Sequence, residues 1–290
     1  MKGRTPLPVI SESMKLIRAH RVAQDRRGNL ISSMNKRETC LRAFARSLDP
    51  QSLLGATRQD IELFLAKRRT RDGHKILPRT RYYWIAHFHS FYEWAQNEDL
   101  LIVDPTAKII RPKMRRTLPR PIDNDDLVMA IRGARPQMRA MLSLAAFAGL
   151  RVQEIAGLDR DDIIEAKGLI RVRHGKGEKE RIVPLHPDVM EALRCLPLPR
   201  TGALFVRARG GRHLPYTVGN AIRHYLHDLG INATGHQLRH WFASEVYAGT
   251  HDIRVTQELL GHSRPTTTAG YIAYSHVDAA AAVGTLKLGA

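Results

Sequence analysis

The chain has 290 residues, a length that suggests two domains, and its 43% hydrophobic content is ample for packed cores. Its 46 lysine and arginine residues against 28 acidic residues give a net charge of +18, which favours a polyanionic partner, with nucleic acid as the first expectation. Only Cys40 and Cys195 occur, without CxxC spacing, so the sequence excludes a disulfide framework and a cysteine-based zinc site.

The N-terminal third predicts a small all-helical bundle. Residues 1–30 are polar and basic, and their pattern predicts no definite structure. Residues 31–107 carry three helical patterns. These patterns span about residues 32–47, 58–69 and 78–97. The third contains Trp84 and Trp94 on an aromatic stripe, which is more often core than a surface for stacking bases.

Residues 108–120 are predicted to be a linker. They combine prolines with a dense run of cations, which is typical of a stiff, positively charged tether. Such a tether would follow a phosphate backbone between two domains on opposite sides of a duplex. A solvated charge run is the alternative interpretation.

A second domain is predicted to follow this linker. Residues 138–150 are almost uniformly apolar and rich in Ala, Leu and Met, which favours a buried helix over a strand. Gly149 breaks this segment just before Arg151, so the arginine leaves a core element at a well-fixed position. Glu154, three residues later, is interpreted either as orienting Arg151 or as only balancing its charge.

A β-hairpin is predicted next. Residues 169–173 alternate as a strand, and residues 181–185 are the natural partner. Lys176, flanked by glycines, lies in the tip of this hairpin. A nucleotide-binding loop is the rival interpretation, but the Walker spacing is missing and no GKS or GKT follows. A further helix is predicted over about residues 220–229.

His236, Arg239 and His240 share one face of a helix predicted at about residues 235–247, and we expect that face to be cationic. An arginine fork suits two phosphoryl oxygens, and histidine exchanges protons near neutral pH, so the face favours a phosphate. A metal site on the two histidines is the alternative. However, the HExxH pattern is absent and the arginine between them would repel a cation. We therefore expect no metal and no cofactor.

A second short helix is predicted between Asp252, a candidate N-cap, and Gly261, which is placed to end it. His262 follows that helix end directly. Tyr271, nine residues later, supplies an oxygen nucleophile. The sequence therefore places two further chemistry-bearing side chains just beyond a helix end.

Four short boxes lie in order between residues 148 and 271. They read AGLRVQEI at 148–155, GKGEKER at 175–181, HQLRH at 236–240 and LGH at 260–262, with Tyr271 nine residues after the last histidine. Together they resemble the first-arginine box, the lysine hairpin, the HxxRH box and the LGH box of the tyrosine recombinases, the family of phage integrases and their relatives. A single HxxRH would be a weak signal, whereas four boxes in order are a specific one.

The resemblance implies a mainly α fold in two parts. A helical core-DNA-binding bundle occupies residues 31–107, and an α+β catalytic domain with a small β-hairpin or sheet occupies residues 121–290. Residues 1–30 are then a basic N-terminal segment and residues 108–120 a basic linker. The tail, residues 275–290, has apolar residues spaced for an amphipathic helix and is expected to dock on a neighbouring protomer.

The resemblance also implies the catalytic residues. They are Arg151, Lys176, His236, Arg239, His262 and Tyr271, supported by Glu154 and His240. Arg151 and Arg239 would clamp the scissile phosphodiester, and Tyr271 would attack its phosphorus to leave a 3′-phosphotyrosine. His236 would act as general base or phosphate donor, and Lys176 as the general acid. The histidine of the LGH box would donate a further hydrogen bond to the phosphate.

The implied function is a site-specific DNA recombinase, an integrase that integrates or excises a phage or mobile element. A Xer-type chromosome dimer resolvase and a type IB topoisomerase-like DNA relaxase are alternatives. A DNA-binding protein that does not cleave would share the charge, but it would not need the tyrosine, the lysine and both arginines.

The expected partners are double-stranded DNA recombination sites, accessory DNA-bending or directionality factors, and a homo-tetramer assembled on DNA from a free monomer or weak dimer. No long apolar run and no signal-peptide pattern occurs, so we expect no membrane partner and a place in the cytoplasm of a bacterial host cell. DNA contacts are expected from basic residues of the bundle and linker. These are Lys36, Arg37, Arg42, Arg79, Arg81, Arg111, Lys113, Arg115 and Arg116.

Overall fold

A computed structural model of the chain describes residues 9–70, 72–114, 120–173, 180–207 and 209–261. The chain divides into two compact units, Met1–Arg116 (unit 1) and Thr117–Ala290 (unit 2). Both units are mainly helical, and unit 2 also holds a small antiparallel sheet. The predicted fold class, mainly α with an α+β second part, is confirmed.

Unit 1 is a bundle of helices. Its described helices are α1 (Val9–Arg26), α2 (Ile31–Leu48), α3 (Arg58–Lys67) and α4 (Pro78–Asn97). α3 begins at a capping box, in which the Thr57 hydroxyl accepts from the Asp60 amide and the Asp60 carboxylate accepts from the Thr57 amide. Tyr92 and Trp94 of α4 are buried together with Phe44 of α2. Trp94 of the aromatic stripe is therefore core, as predicted, whereas Trp84 is half-buried at the edge of that core.

α1 lies where the sequence predicted no definite structure. Ile17 and His20 are buried in the bundle, and His20 contacts the rings of Phe91 and Trp94. The inward face of α1 includes the buried polar residues Ser13, His20 and Gln24, so the sequence shows no continuous apolar stripe there. Packing on α2 and α4, rather than local propensity, accounts for this helix.

Unit 2 packs its helices around one central helix. In chain order its described elements are α5 (Asn124–Gly133), α6 (Pro136–Phe147), α7 (Val152–Gly157), β1 (Ile163–Ile164), β2 (Leu169–Val172), β3 (Arg181–Pro184), α8 (Pro187–Arg194), α9 (Pro215–Asp228), α10 (Gly235–Thr250) and α11 (Ile253–Leu260). Every residue of α6 from 140 to 146 is buried, and α8 and α10 pack against it. The predicted buried helix is therefore confirmed. α11 starts at an Asp252 cap and ends at the left-handed Gly261, both as predicted.

The sheet has the order β1-β2-β3 and is antiparallel throughout. Ile170 lies opposite Val183, and both are buried, so the inner face of the predicted hairpin joins the core of unit 2. β1 pairs Ile163 with Ile170 and was not predicted, because a two-residue strand carries no readable period. α8 was not predicted either.

Candidate active site

The site begins where α6 ends. Gly149 has a φ of 62°, and a Cβ added there would lie 2.4 Å from Cδ1 of Phe242, so both the backbone and the packing require glycine. The turn that follows places Arg151 at the start of α7. The Arg151 side chain is 24% exposed. Its guanidinium therefore reaches the surface from a backbone that the core holds in place.

The Glu154 carboxylate is the centre of the site and is 1% exposed. Arg151 donates to it from the main-chain nitrogen and from Nη1, both at 2.8 Å. Arg181 of β3 forms a fork on it, with Nη1 and Nη2 each 2.8 Å from a carboxylate oxygen. Nη1 of Arg239 lies 3.7 Å from Oε2. Three guanidinium groups around one carboxylate leave an excess of positive charge, which suits an anion.

The ionisation of Glu154 follows from these partners. Burial alone would raise the pKa of this carboxyl group. The hydrogen bonds and charge of Arg181, the amide of Arg151 and the charge of Arg239 together lower the pKa to about 2. Glu154 is therefore ionised near neutral pH, and its contacts support the interpretation that it orients Arg151.

Arg239 of α10 is 1% exposed and joins separate segments of the chain. Its Nη2 donates to the Leu260 carbonyl oxygen at 2.6 Å, and its Nη1 donates to the Gly149 carbonyl oxygen. The guanidinium thus connects the turn after α6 with the end of α11.

His236 and His240 lie on α10, with ring centroids 4.1 Å apart. Burial lowers the pKa of His236, and the positive charges of Arg239 and Arg151 lower it further. Burial, His236 and Arg239 lower the pKa of His240 to about 4. Both rings are therefore neutral near pH 7. The expectation of a cationic face is wrong for the histidines, because desolvation and neighbouring arginines disfavour their protonation.

The C-terminal end of α11 is capped by two arginines of the site. Nε of Arg181 donates to the Leu259 carbonyl oxygen at 2.8 Å, and Arg239 donates to that of Leu260. Cations are favoured at this end of a helix, where the partial charge of the backbone is negative. Both arginines thus fix the point at which the chain leaves α11.

The described part of the chain brings several predicted site residues together. These are Arg151, His236 and Arg239, with the supporting residues Glu154 and His240. The other predicted residues lie outside the described part. These are Lys176, His262 and Tyr271, as well as Arg115, Arg116 and the tail, residues 275–290.

The predicted DNA contacts of unit 1 differ in their surroundings. Lys36, Arg79, Arg111 and Lys113 are exposed, and Arg81 is half-buried. Two others are held by side chains of unit 1. Arg37 donates to Oε1 of Gln24 at 2.5 Å, and Arg42 donates to Oε1 of Glu38 at 2.6 and 2.8 Å.

Arg181 was not among the predicted site residues, although it closes the GKGEKER box. Its position on β3 could have identified it. Arg181 is two residues before the buried Val183, so both side chains lie on the same face of the strand. An arginine on an inward face needs a buried partner. The partner, Glu154, is not identifiable from sequence spacing.

Two further properties hold for the described ranges. No group of three or more His, Cys, Asp and Glu side chains is placed there to hold a metal ion. None of the helices in those ranges combines the length and apolar character that crossing a bilayer requires.

Comparison with known proteins finds relatives along most of the chain. The profile of the phage integrase family matches residues 123–279. The tyrosine recombinase XerC of Azotobacter vinelandii is 39% identical in an alignment of 201 positions that covers 65% of this chain and 66% of that protein. XerC of Myxococcus xanthus is 32% identical in an alignment of 243 positions that covers 76% of this chain and 78% of that protein. The match thus spans slightly less than two thirds of the Azotobacter protein.

Solved structures show the same fold. A lambda integrase dimer bound to a COC′ core site gives a TM-score of 0.71 at 17% identity, covering 93% of this chain and 81% of that chain.

Proposed function

Since the chain belongs to the phage integrase family of tyrosine recombinases, as its four boxes predicted, we propose that it is a site-specific DNA recombinase. It cleaves and rejoins DNA through a 3′-phosphotyrosine, and it integrates or excises a phage or other mobile element. The observation that carries this proposal is the Glu154 cluster, where three guanidinium groups surround one ionised carboxylate. Such preorganised charge is what a phosphoryl transfer requires in its transition state.

The cleavage step exchanges one phosphodiester for another. The hydroxyl oxygen of Tyr271 attacks the phosphorus, and the bond from phosphorus to the 5′-oxygen breaks. Arg151 and Arg239 stabilise the charge that builds on the non-bridging oxygens. A 3′-phosphotyrosine and a free 5′-hydroxyl result. Attack by the 5′-hydroxyl of another strand reverses the step, so rejoining needs no ATP.

Two proton transfers accompany this exchange. An unperturbed tyrosine has a pKa of about 10, so its attack near pH 7 requires a proton acceptor. His236 suits this role, because its ring is neutral near pH 7 and can therefore accept a proton. Lys176 donates a proton to the departing 5′-oxygen. His262 donates a hydrogen bond to the phosphate, and His240 supports the His236 ring.

Unit 1 and the linker supply affinity for DNA rather than chemistry. The exposed cations of unit 1 contact phosphates, and Arg115 and Arg116 continue that contact along the linker. Arg37 and Arg42 join them only by exchanging their present partners, Gln24 and Glu38. The DNA bound is a double-stranded recombination site, with accessory DNA-bending or directionality factors as further partners.

The active unit is a homo-tetramer on DNA. A groove of about 520 Å³ in unit 2 is lined in part by apolar side chains, which include Leu127, Val128, Phe147 and Trp241, and in part by polar and charged ones. Its occupant is the tail of a neighbouring protomer, residues 275–290, whose apolar residues have helical spacing. A protein ending at residue 274 should bind one site normally and fail to pair two sites. Normal pairing by that protein would reject the assignment.

The relatives named XerC favour a second candidate function, Xer-type resolution of chromosome dimers. Both candidates exchange strands between defined sites, and they differ in where those sites lie. To separate the two candidates, the duplexes that the protein binds are selected from a random library. The selected sequence is then located in the host DNA. A site beside the gene in a mobile element supports an integrase, and a chromosomal site elsewhere supports a resolvase.

The experiment that tests recombination supplies the selected site on two different DNA molecules. The wild-type protein should exchange their strands, and added chelator should not prevent it. Relaxation of supercoiled DNA without sequence preference would instead favour a type IB topoisomerase. The absence of any covalent protein–DNA species would contradict the whole proposal.

A further inference from the structure

Arg181 contacts the site extensively, although no step of the mechanism uses it. Its fork holds both carboxylate oxygens of Glu154 at 2.8 Å, and its Nε donates to the Leu259 carbonyl oxygen at 2.8 Å. The side chain is 8% exposed. All these contacts are to protein groups, so Arg181 acts on the site through Glu154 and α11.

Arg151 shares the same carboxylate but is held less firmly. Its side chain donates to Glu154 through Nη1, whereas Arg181 donates through both terminal nitrogens. It is also 24% exposed, against 8% for Arg181. Of the two arginines, Arg151 is the one that can turn to an anion at the surface while the carboxylate remains paired.

We propose that Arg181 is a positioning residue that retains the Glu154 carboxylate and thereby leaves Arg151 to the scissile phosphate. A buried carboxylate requires a partner. Without Arg181, Glu154 would hold Arg151 more tightly and compete with the phosphate for it. The inference rests on the proposed function for the identity of the anion.

Arg173 provides a matched control. It follows β2 directly, so Arg173 and Arg181 flank the same hairpin segment, residues 174–180. It also pairs with a buried carboxylate, since its Nε lies 2.5 Å from Oδ1 of Asp162, which is 2% exposed. Arg173→Gln and Arg181→Gln therefore remove the same charge from the same region, and their difference reports the contacts of Arg181 with Glu154 and with the Leu259 carbonyl oxygen.

The test measures single-turnover cleavage at saturating DNA. Arg181→Gln should cleave about tenfold more slowly or worse, as expected for lost hydrogen bonds to a charged group, and Arg173→Gln should stay within about twofold of wild type. A methylphosphonate at the scissile position lacks the negative charge that competes with Glu154 for Arg151. The deficit of Arg181→Gln should therefore shrink on that substrate. Adding Glu154→Gln to Arg181→Gln should restore part of the rate.

Several results would overturn the proposal. The first is a wild-type cleavage rate for Arg181→Gln. The second is a loss of cleavage rate that is equal on the phosphodiester and the methylphosphonate. The third is a further loss of rate when Glu154→Gln is added to Arg181→Gln. If Arg181→Gln does not fold, Arg181→Lys decides, because it keeps the charge but not the fork. A slower rate with a smaller deficit on methylphosphonate supports the proposal, and a wild-type rate overturns it.

Failure of the proposed function is distinguishable from failure of this inference. A folded wild-type protein that cleaves no DNA would refute the function. The rise in melting temperature caused by inorganic sulfate then tests the inference without cleavage. A smaller rise for Arg181→Gln than for Arg173→Gln supports it, and an equal rise for the two variants overturns it.

Discussion

Unit 1 and unit 2 each contain an arginine that donates two hydrogen bonds to a glutamate, but the two pairs have different consequences. Arg42 and Glu38 lie four residues apart on α2 and are 38% and 19% exposed. Arg181 and Glu154 lie 27 residues apart, on β3 and α7, and are 8% and 1% exposed. The first pair stabilises one helix by roughly 0.2–0.5 kcal/mol. The second pair fixes β3 and α7 relative to each other, because separating the two residues would leave a buried charge without a partner, which is strongly destabilising.

The histidines give a second comparison. The pKa of His20 in unit 1 is lowered to about 4 by burial first and then by the charges of Arg37 and Arg27. The pKa of His240 in unit 2 is lowered to the same value, again by burial first. His20 packs on Phe91 and Trp94 within a core, whereas His240 lies beside His236 and Arg239. A lowered pKa therefore does not mark function until its neighbours are known.

The largest effect that we expect is that of salt on DNA affinity, and cations of both units should contribute to it. The net charge is +18, and exposed cations occur along both units. If roughly 6 to 10 phosphates are contacted, affinity should fall about a thousandfold or more between 50 and 200 mM salt. Fluorescence anisotropy on a labelled site measures this fall. A flat titration would show that phosphate contacts do not dominate.

Substitutions in the two units should differ in their effect on the rate of DNA cleavage. Arg151→Ala removes a donor to the developing charge, so cleavage at saturating DNA should slow by roughly a hundred- to a thousandfold. Arg42→Ala removes an exposed pair in unit 1 and should leave the rate of the bound complex unchanged. Comparable losses in both variants would mean that the chemistry is not confined to unit 2.

Two left-handed glycines allow a matched test of stability. Gly149→Ala in unit 2 meets Phe242 at 2.4 Å, whereas Gly28→Ala in unit 1 meets nothing within 4 Å. In both variants the left-handed alanine should lower the free energy of unfolding by about 1–2 kcal/mol. In Gly149→Ala, overpacking against Phe242 should lower it by roughly a further 1–3 kcal/mol. Urea denaturation measures the free energy of unfolding for each. Equal losses would show that Phe242 moves aside without cost.

The smallest effect concerns acid stability. Because the folded-state pKa values of His20 and His240 are about 4, the unfolded chain binds more protons as the pH falls below about 6.5. The contribution of these neutral rings to the free energy of unfolding is fully present above about pH 6.5 and is lost progressively as the pH falls toward about 4. The melting temperature should therefore be lower at pH 5 than at pH 7. His20→Gln and His240→Gln should each reduce that difference, and an unchanged difference in both would contradict the pKa shifts.

Sequence reasoning succeeded where the signal is local. The long apolar period of α4, the N-cap candidate Asp252 and the glycines Gly149 and Gly261 predicted elements and ends that the structure confirms. It failed where tertiary packing decides. α1 depends on contacts with α2 and α4, and the role of Arg181 depends on a partner 27 residues away. The neutral state of His236 likewise follows from burial, which a helical pattern does not reveal.

The measurement that most directly tests the assignment of chemistry to unit 2 is the location of the covalent bond. The protein is captured on a nicked suicide site and digested, and the phosphorylated tyrosine is identified by mass spectrometry. Tyr274, three residues after Tyr271, is the neighbouring tyrosine that serves as the control. We predict phosphate on Tyr271, no capture by Tyr271→Phe despite normal folding and site binding, and normal capture by Tyr274→Phe. Phosphate on Tyr274, or capture by Tyr271→Phe, would contradict the assignment.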